Sequence, residues 1–86
     1  MDIDHGQADV HVTLNGTDVF DAPVYLFTET GSYLGQYERT DTLGHATFLI
    51  PTRAYKFRVD YNGTQYWSIV IDILPGVKTD IDVTVN

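Results

Sequence analysis

The sequence predicts an all-β domain, a seven-stranded antiparallel β-sandwich, and three observations carry that expectation. Apolar and polar residues alternate with a period of two in one short run after another, the spacing of a strand with one buried and one solvated face. Turn signals divide the runs at even intervals: Asn15-Gly16, Gly31-Ser32, Asp41 to Gly44, Asn62-Gly63 and Pro75-Gly76. The residues are 43% hydrophobic and 13% aromatic, rich in Val, Ile, Tyr and Thr, which favours pleated surfaces, and no window has the spacing of an amphipathic helix.

Taken in order, residues 1–7 lack periodicity and read as a flexible lead-in, leaving residues 8–86 as one domain. Val10, Val12 and Leu14 alternate with Asp9, His11 and Thr13 in a first strand from Ala8 to Leu14. Pro23 opens the second, Ala22 to Thr28, at a position where its missing N–H need not join a ladder. Both faces of that strand are apolar, with Val24 and Leu26 on one and Tyr25 and Phe27 on the other. The third strand, Tyr33 to Thr40, contains Gly35, which suggests a bulge. Asp41 can accept hydrogen bonds from the backbone ahead of it, so a turn precedes the fourth strand, Ala46 to Ile50, which Pro51 stops.

The two longest alternating runs meet across Asn62-Gly63, a pair that tolerates the positive φ of a tight hairpin. Tyr55, Phe57, Val59 and Tyr61 share a face of the first run. In the second, Gln65 to Ile73, the expected inward face is Trp67, Ile69, Ile71 and Ile73, with Tyr66 outward. The predicted core centres on this hairpin: Phe48, Tyr55, Phe57, Val59, Trp67, Ile69 and Ile71. Lys78 to Val85 closes the chain as a seventh strand with Ile81, Val83 and Val85 inward.

Eighty-six residues suit one small domain that must bury its core efficiently. The formal charge of −7, from twelve acidic and five basic residues, repels phosphate backbones and makes nucleic acid a disfavoured partner. No apolar run is long enough for membrane insertion. The absence of cysteine excludes a disulfide framework and a thiolate metal site, and is compatible with either redox compartment. Met1 running directly into Asp2-Ile3-Asp4 reads as the start of a piece of a longer chain.

Three motifs specify the strands: Ala22-x-Val24-x-Leu26, then Thr40-Asp41-x-x-Gly44-x-Ala46-x-Phe48 to Pro51, then Tyr55-x-Phe57-x-Val59. Their order resembles the carboxypeptidase-regulatory-like and CnaB-like modules of bacterial surface and secreted proteins, over most of the chain. The resemblance implies a prealbumin-like (immunoglobulin-like) sandwich, a cell-surface or secreted location, and neighbouring domains in a larger chain as partners. Family members place a glycine shortly before the aromatic of the third motif, where this chain has Arg53-Ala54. Some relatives carry an isopeptide staple from a first-strand lysine. This first strand has none, and Lys56 and Lys78 lie elsewhere, so no staple is expected.

No reaction centre is legible. Ser32 and Ser68 lack a nucleophile motif, and His5, His11 and His45 lack ligand spacing, so no enzyme activity, cofactor or metal is expected. Asp2, Asp4 and Asp9 with Gly6 form a loose acidic cluster without the spacing of a calcium loop. Asn15-Gly16-Thr17 and Asn62-Gly63-Thr64 match a glycosylation acceptor, and turn chemistry accounts for both. The remaining candidates are aromatic residues off the inward face, Tyr25, Phe27, Tyr37 and Tyr66, as a surface for a protein or glycan ligand. The expected function is therefore a structural or adhesive spacer module, with a carbohydrate-binding module as the alternative.

Overall fold

A computed structural model describes residues 5–86 as two packed sheets without helix. Nine strands follow in order: β1 (His5–Leu14), β2 (Thr17–Asp18), β3 (Pro23–Thr28), β4 (Tyr33–Arg39), β5 (His45–Pro51), β6 (Ala54–Tyr61), β7 (Thr64–Trp67), β8 (Ile71–Asp72) and β9 (Lys78–Val85). The smaller sheet is built on β1, flanked by β5 and β2 on one side and by β9 on the other. The larger has the order β4-β3-β6-β7, with β8 also on β6.

This architecture corrects the expected count of seven and the expected all-antiparallel pairing. The extra strands are β2, whose two residues are too few to show alternation, and β8, which is separated from β7 within what reads as one run. β9 lies parallel to β1 from Gln7↔Lys78 to Leu14↔Val85. A parallel pair needs a long crossover, and here almost the whole chain supplies it.

The first strand begins at His5 rather than Ala8, so the expected lead-in is shorter by residues 5–7; residues 1–4 lie outside the described residues. Pairing with β5 continues to His5↔Pro51. The Gly76 N–H donates to the His5 carbonyl at 3.0 Å and the Gln7 N–H to that of Val77 at 3.0 Å. Gly6 permits this approach, because a Cβ there would run into the Leu74 carbonyl and Ile73.

Inward residues of both sheets interdigitate. Ala8, Val10, Val12, Phe48, Ile50, Ile81, Val83 and Val85 meet Val24, Leu26, Tyr55, Phe57 and Val59, all buried. Phe48 and Phe57 touch across the layers with ring centroids 5.3 Å apart. Burying one such ring stabilises the fold by roughly 2–3 kcal/mol. Tyr55 enters the core with its hydroxyl donating to the Pro51 carbonyl at 2.6 Å, and burial raises its pKa above the ordinary tyrosine value. Thr40 closes a corner by donating to the Val19 carbonyl at 2.6 Å and accepting from the Ala22 N–H. The expected Asp41 turn is present. Its Oδ1 accepts from the N–H groups of Leu43 and His45 at 2.9 and 3.0 Å.

The β6–β7 hairpin decides which side chains reach the surface. Asn62 and Gly63 take φ of 52° and 81°, the conformation a two-residue turn of this hand requires. The register is then forced: Val59 pairs with Tyr66 and Arg58 with Trp67. Opposed residues share a face, so Tyr66 points inward with Val59 and Trp67 outward with Arg58. This reverses the expected faces of both. Trp67 is 45% exposed, not central to the core.

Ser68 then interrupts the ladder. Its N–H donates to the Phe57 carbonyl at 2.8 Å, and its Oγ accepts from the Phe57 N–H at 3.0 Å. Pairing resumes one residue out of step, at Tyr55↔Ile71 and Ala54↔Asp72. A slip of one residue exchanges the faces, which returns Ile71 to a half-buried position against the core and buries Ile73. Ile69 falls in the slip itself and is 78% exposed, a second correction to the predicted core.

Candidate functional site on the outer aromatic face

The outer face of the larger sheet gathers side chains from four strands. β3 contributes Tyr25 and Phe27, paired with Arg58 and Lys56 of β6, while β7 sets Trp67 beside Arg58. β4 adds Tyr37 opposite Tyr25 and Tyr33 opposite Phe27. Between those pairs β4 advances four residues while β3 advances two, the bulge that Gly35 at φ 79° permits. Both tyrosines thereby land on the same face.

Arg58 is the centre of the patch. Its guanidinium lies 4.9 Å from the ring centroid of Tyr25, 5.1 Å from Phe27 and 5.9 Å from Trp67. Asp60 on the same strand orients it through two hydrogen bonds, Nε to Oδ1 at 2.8 Å and Nη2 to Oδ2 at 3.2 Å. Lys56 adds a second cation 5.5 Å from the Trp67 ring. Each exposed cation–π contact is worth roughly 0.5–1 kcal/mol, so the set restrains Tyr25, Phe27 and Trp67.

The rings form a tilted cluster rather than a coplanar row. Tyr25 and Tyr37 are inclined at 32°, Phe27 and Tyr33 at 45°, Phe27 and Trp67 at 58°, and Tyr25 and Tyr33 at 73°. Tyr33, Tyr37 and Trp67 are exposed and Phe27 is buried.

The structure brings three of the four expected aromatic residues together. Tyr25 and Tyr37 stand on the patch and Phe27 forms its floor. Tyr66 is on the other side of the sheet, where its hydroxyl donates to the Asn86 carbonyl at 3.1 Å and accepts from the Asn86 N–H at 3.2 Å. Trp67, Tyr33 and Arg58 replace it. Trp67 and Arg58 were accessible to sequence reasoning through one signal: pairing counted outward from a two-residue Asn-Gly turn sets them side by side.

The outer face of the smaller sheet has a different character. His11 of β1 and His45 of β5 pair in register and stack, with ring centroids 4.4 Å apart and planes inclined at 4°. His11 Nε2 is 2.7 Å from Asp18, and His45 Nδ1 is 2.9 Å from the buried carboxylate of Asp9. Lys78 Nζ reaches Asp9 at 3.4 Å and Asp80 at 3.8 Å. Sequence reasoning treats these histidines as solvated or turn residues, because alternation says nothing of lateral pairing. Of the loose acidic cluster, Asp2 and Asp4 lie outside the described residues, and Asp9 is engaged by His45 and Lys78.

No family model matches the chain, and no curated protein matches it by sequence. Solved structures do match. The TIE protein of Bacillus anthracis is 16% identical with a TM-score of 0.68, the match covering 93% of this chain and 17% of that one. A DUF3823 family protein from Parabacteroides merdae ATCC 43184 is 10% identical with a TM-score of 0.67, covering 95% of this chain and 47% of that one. This chain therefore spans less than half the length of either. The likeness is one of fold, and it supports a β-sandwich module.

Proposed function

We propose that this chain is a non-catalytic, adhesive module of a longer bacterial extracellular protein, and that it engages a protein partner through the outer aromatic face. The observation that carries the reading is an aromatic cluster on an open sheet surface, in which Tyr25, Phe27 and Trp67 pack around Arg58 and Tyr33 and Tyr37 pack against Tyr25. Trp, Tyr and Arg are the residue types that dominate the energy of protein interfaces. Here cation–π contacts and the Asp60 ion pair already restrict them, which lowers the entropy lost on association. The bacterial, multidomain context is supported by the fold likeness to parts of two longer bacterial proteins. The motif resemblance over Ala22 to Val59 favours a prealbumin-like form of the sandwich. A sugar ligand is less well suited, because a flat ring stack needs coplanar aromatic residues and these are tilted by 32° to 73°.

The test is adhesion of module-coated beads to protein-coated and glycan-coated surfaces, with melting curves recorded alongside. Retention on protein that Arg58→Ala and Tyr37→Ala both reduce, with each variant still folded, is the expected result. A glycan-dependent rise in melting temperature that Trp67→Ala removes would transfer the face to carbohydrate binding.

A further inference from the structure

The second surface of interest is a groove of about 540 Å³ between the free edges of the two sheets, lined by Tyr66, Trp67, Ser68, Ile69 and Ile71 on one side and by residues 80–84 on the other. Among the described residues β9 pairs only with β1, so one edge of an eight-residue strand is left without a neighbour. Natural sheets protect such edges with bulges, proline or inward charges. β9 has none of these and relies on the outward charges of Lys78, Asp80 and Asp82 alone: its inward residues Ile81, Val83 and Val85 are apolar, and it lacks proline and glycine. Across the groove, β7 is short and ends at the Ser68 interruption, which pushes Ile69 outward to 78% exposure at the mouth.

We infer that the β9 edge accepts an extended segment from another protein, added as a further strand of the smaller sheet, with apolar and basic residues in alternation. Backbone pairing supplies the affinity in such an arrangement, and alternate side chains supply the selectivity. The inward side chains of the added strand enter the gap between Val83 and Ile71 and lie under Ile69, which requires them to be apolar. The outward ones flank Asp80 and Asp82, whose side chains are 76% and 85% exposed. Lys78 lies 3.8 Å from Asp80, and His11 Nδ1 lies 3.6 Å from Asp82. The whole chain carries a formal charge of −7, so lysine or arginine is the complement. A second copy of this chain is the wrong occupant. Antiparallel pairing of β9 with another β9 would bring two outward rows together that each hold two aspartates, Asp80 and Asp82, against one lysine, Lys78, and net like charge in that position is destabilising.

The inference does not depend on the aromatic face, and the experiment separates the two. An isotope-labelled module is titrated with a capped decapeptide alternating valine and lysine, and with a control in which glutamate replaces lysine. The expected outcome is slowed amide exchange and shifted resonances at residues 80–84, with the lysine peptide preferred by about tenfold. Ile69→Asp, at an exposed position that leaves the fold intact, weakens binding, and the double substitution Asp80→Lys, Asp82→Lys reverses the preference. Tyr37→Ala leaves this binding unchanged. Equal binding of the two peptides, shifts confined to the aromatic face, loss of binding in Tyr37→Ala, or self-association through β9 would each overturn the inference.

Discussion

β6 and the stretch that follows it alternate in the same way, yet one buries its aromatic residues and the other exposes them. In β6, Tyr55, Phe57 and Val59 are 1%, 0% and 0% exposed, as their period of two predicts. From Thr64 onward the alternation is as regular, but Trp67 and Ile69 are surface residues while Ile73 is buried. Alternation defines two faces and is silent on which of them turns inward. In β6 charge settles the matter, because Lys56, Arg58 and Asp60 cannot be buried unpaired. After Thr64 both faces are partly apolar, and two other agents decide: the turn, which forces Trp67 beside Arg58, and Ser68, which slips the ladder by one residue.

The widest contrast is between the aromatic rings on the two sides of β6. Phe57→Ala is expected to cost about 3–5 kcal/mol, enough to unfold much of a small domain, because it empties the contact with Phe48. Trp67→Ala removes surface packing over Phe27 and the cation–π contacts with Arg58 and Lys56, and is expected to cost about 1–2 kcal/mol. Chemical denaturation of the two variants measures the difference, and comparable losses would mean that Trp67 faces the core.

The slip is tested next by two isoleucines on what reads as one strand face. Ile73→Ala is expected to cost about 2–4 kcal/mol and Ile69→Ala less than about 0.5 kcal/mol, in the same denaturation experiment. Equal costs would place both residues in one continuous ladder.

Ser68 itself comes third. Ser68→Ala deprives the part-buried Phe57 N–H of its acceptor and should lower stability by about 1–2 kcal/mol. Amide exchange at Phe57 checks it directly, since its protection should fall more than that of Val59.

The smallest effect contrasts two kinds of turn. Asn62-Gly63 is shaped by backbone conformation, whereas the turn at Asp41 is held by a carboxylate whose pKa is lowered by the N–H groups of His45 and Leu43. A lowered folded-state pKa stabilises the fold above the unfolded value, and the contribution is lost as pH falls through the folded value. Stability measured from pH 7 down to pH 3 should therefore fall slightly more steeply for the parent chain than for Asp41→Asn.

Much of the fold is legible in the order of residues along the chain. The all-β class, the strands now labelled β3, β4, β5, β6 and β9, the bulge at Gly35 and the Asp41 turn follow from signals confined to a few neighbouring residues. Of the candidate surface, Tyr25, Phe27 and Tyr37 are accessible for the same reason. Tyr33 escapes such reading and Tyr66 is misplaced by it, because membership of the patch depends on pairing between strands rather than on order within one; Trp67 and Arg58 become legible only when pairing is counted outward from the Asn62-Gly63 turn.

Sequence by itself determined where strands run and turn, since the period of two, the turn residues and proline act over three or four positions. Tertiary structure alone decided that β9 lies parallel to β1, that His11 stacks on His45, that Arg58 sits among three rings, and that among the described residues one edge of β9 stands open. Each of these is a relation between strands that are distant in sequence or that meet from opposite sides. Their energies arise from pairing strands side by side within each sheet, and no local pattern along the chain encodes that choice.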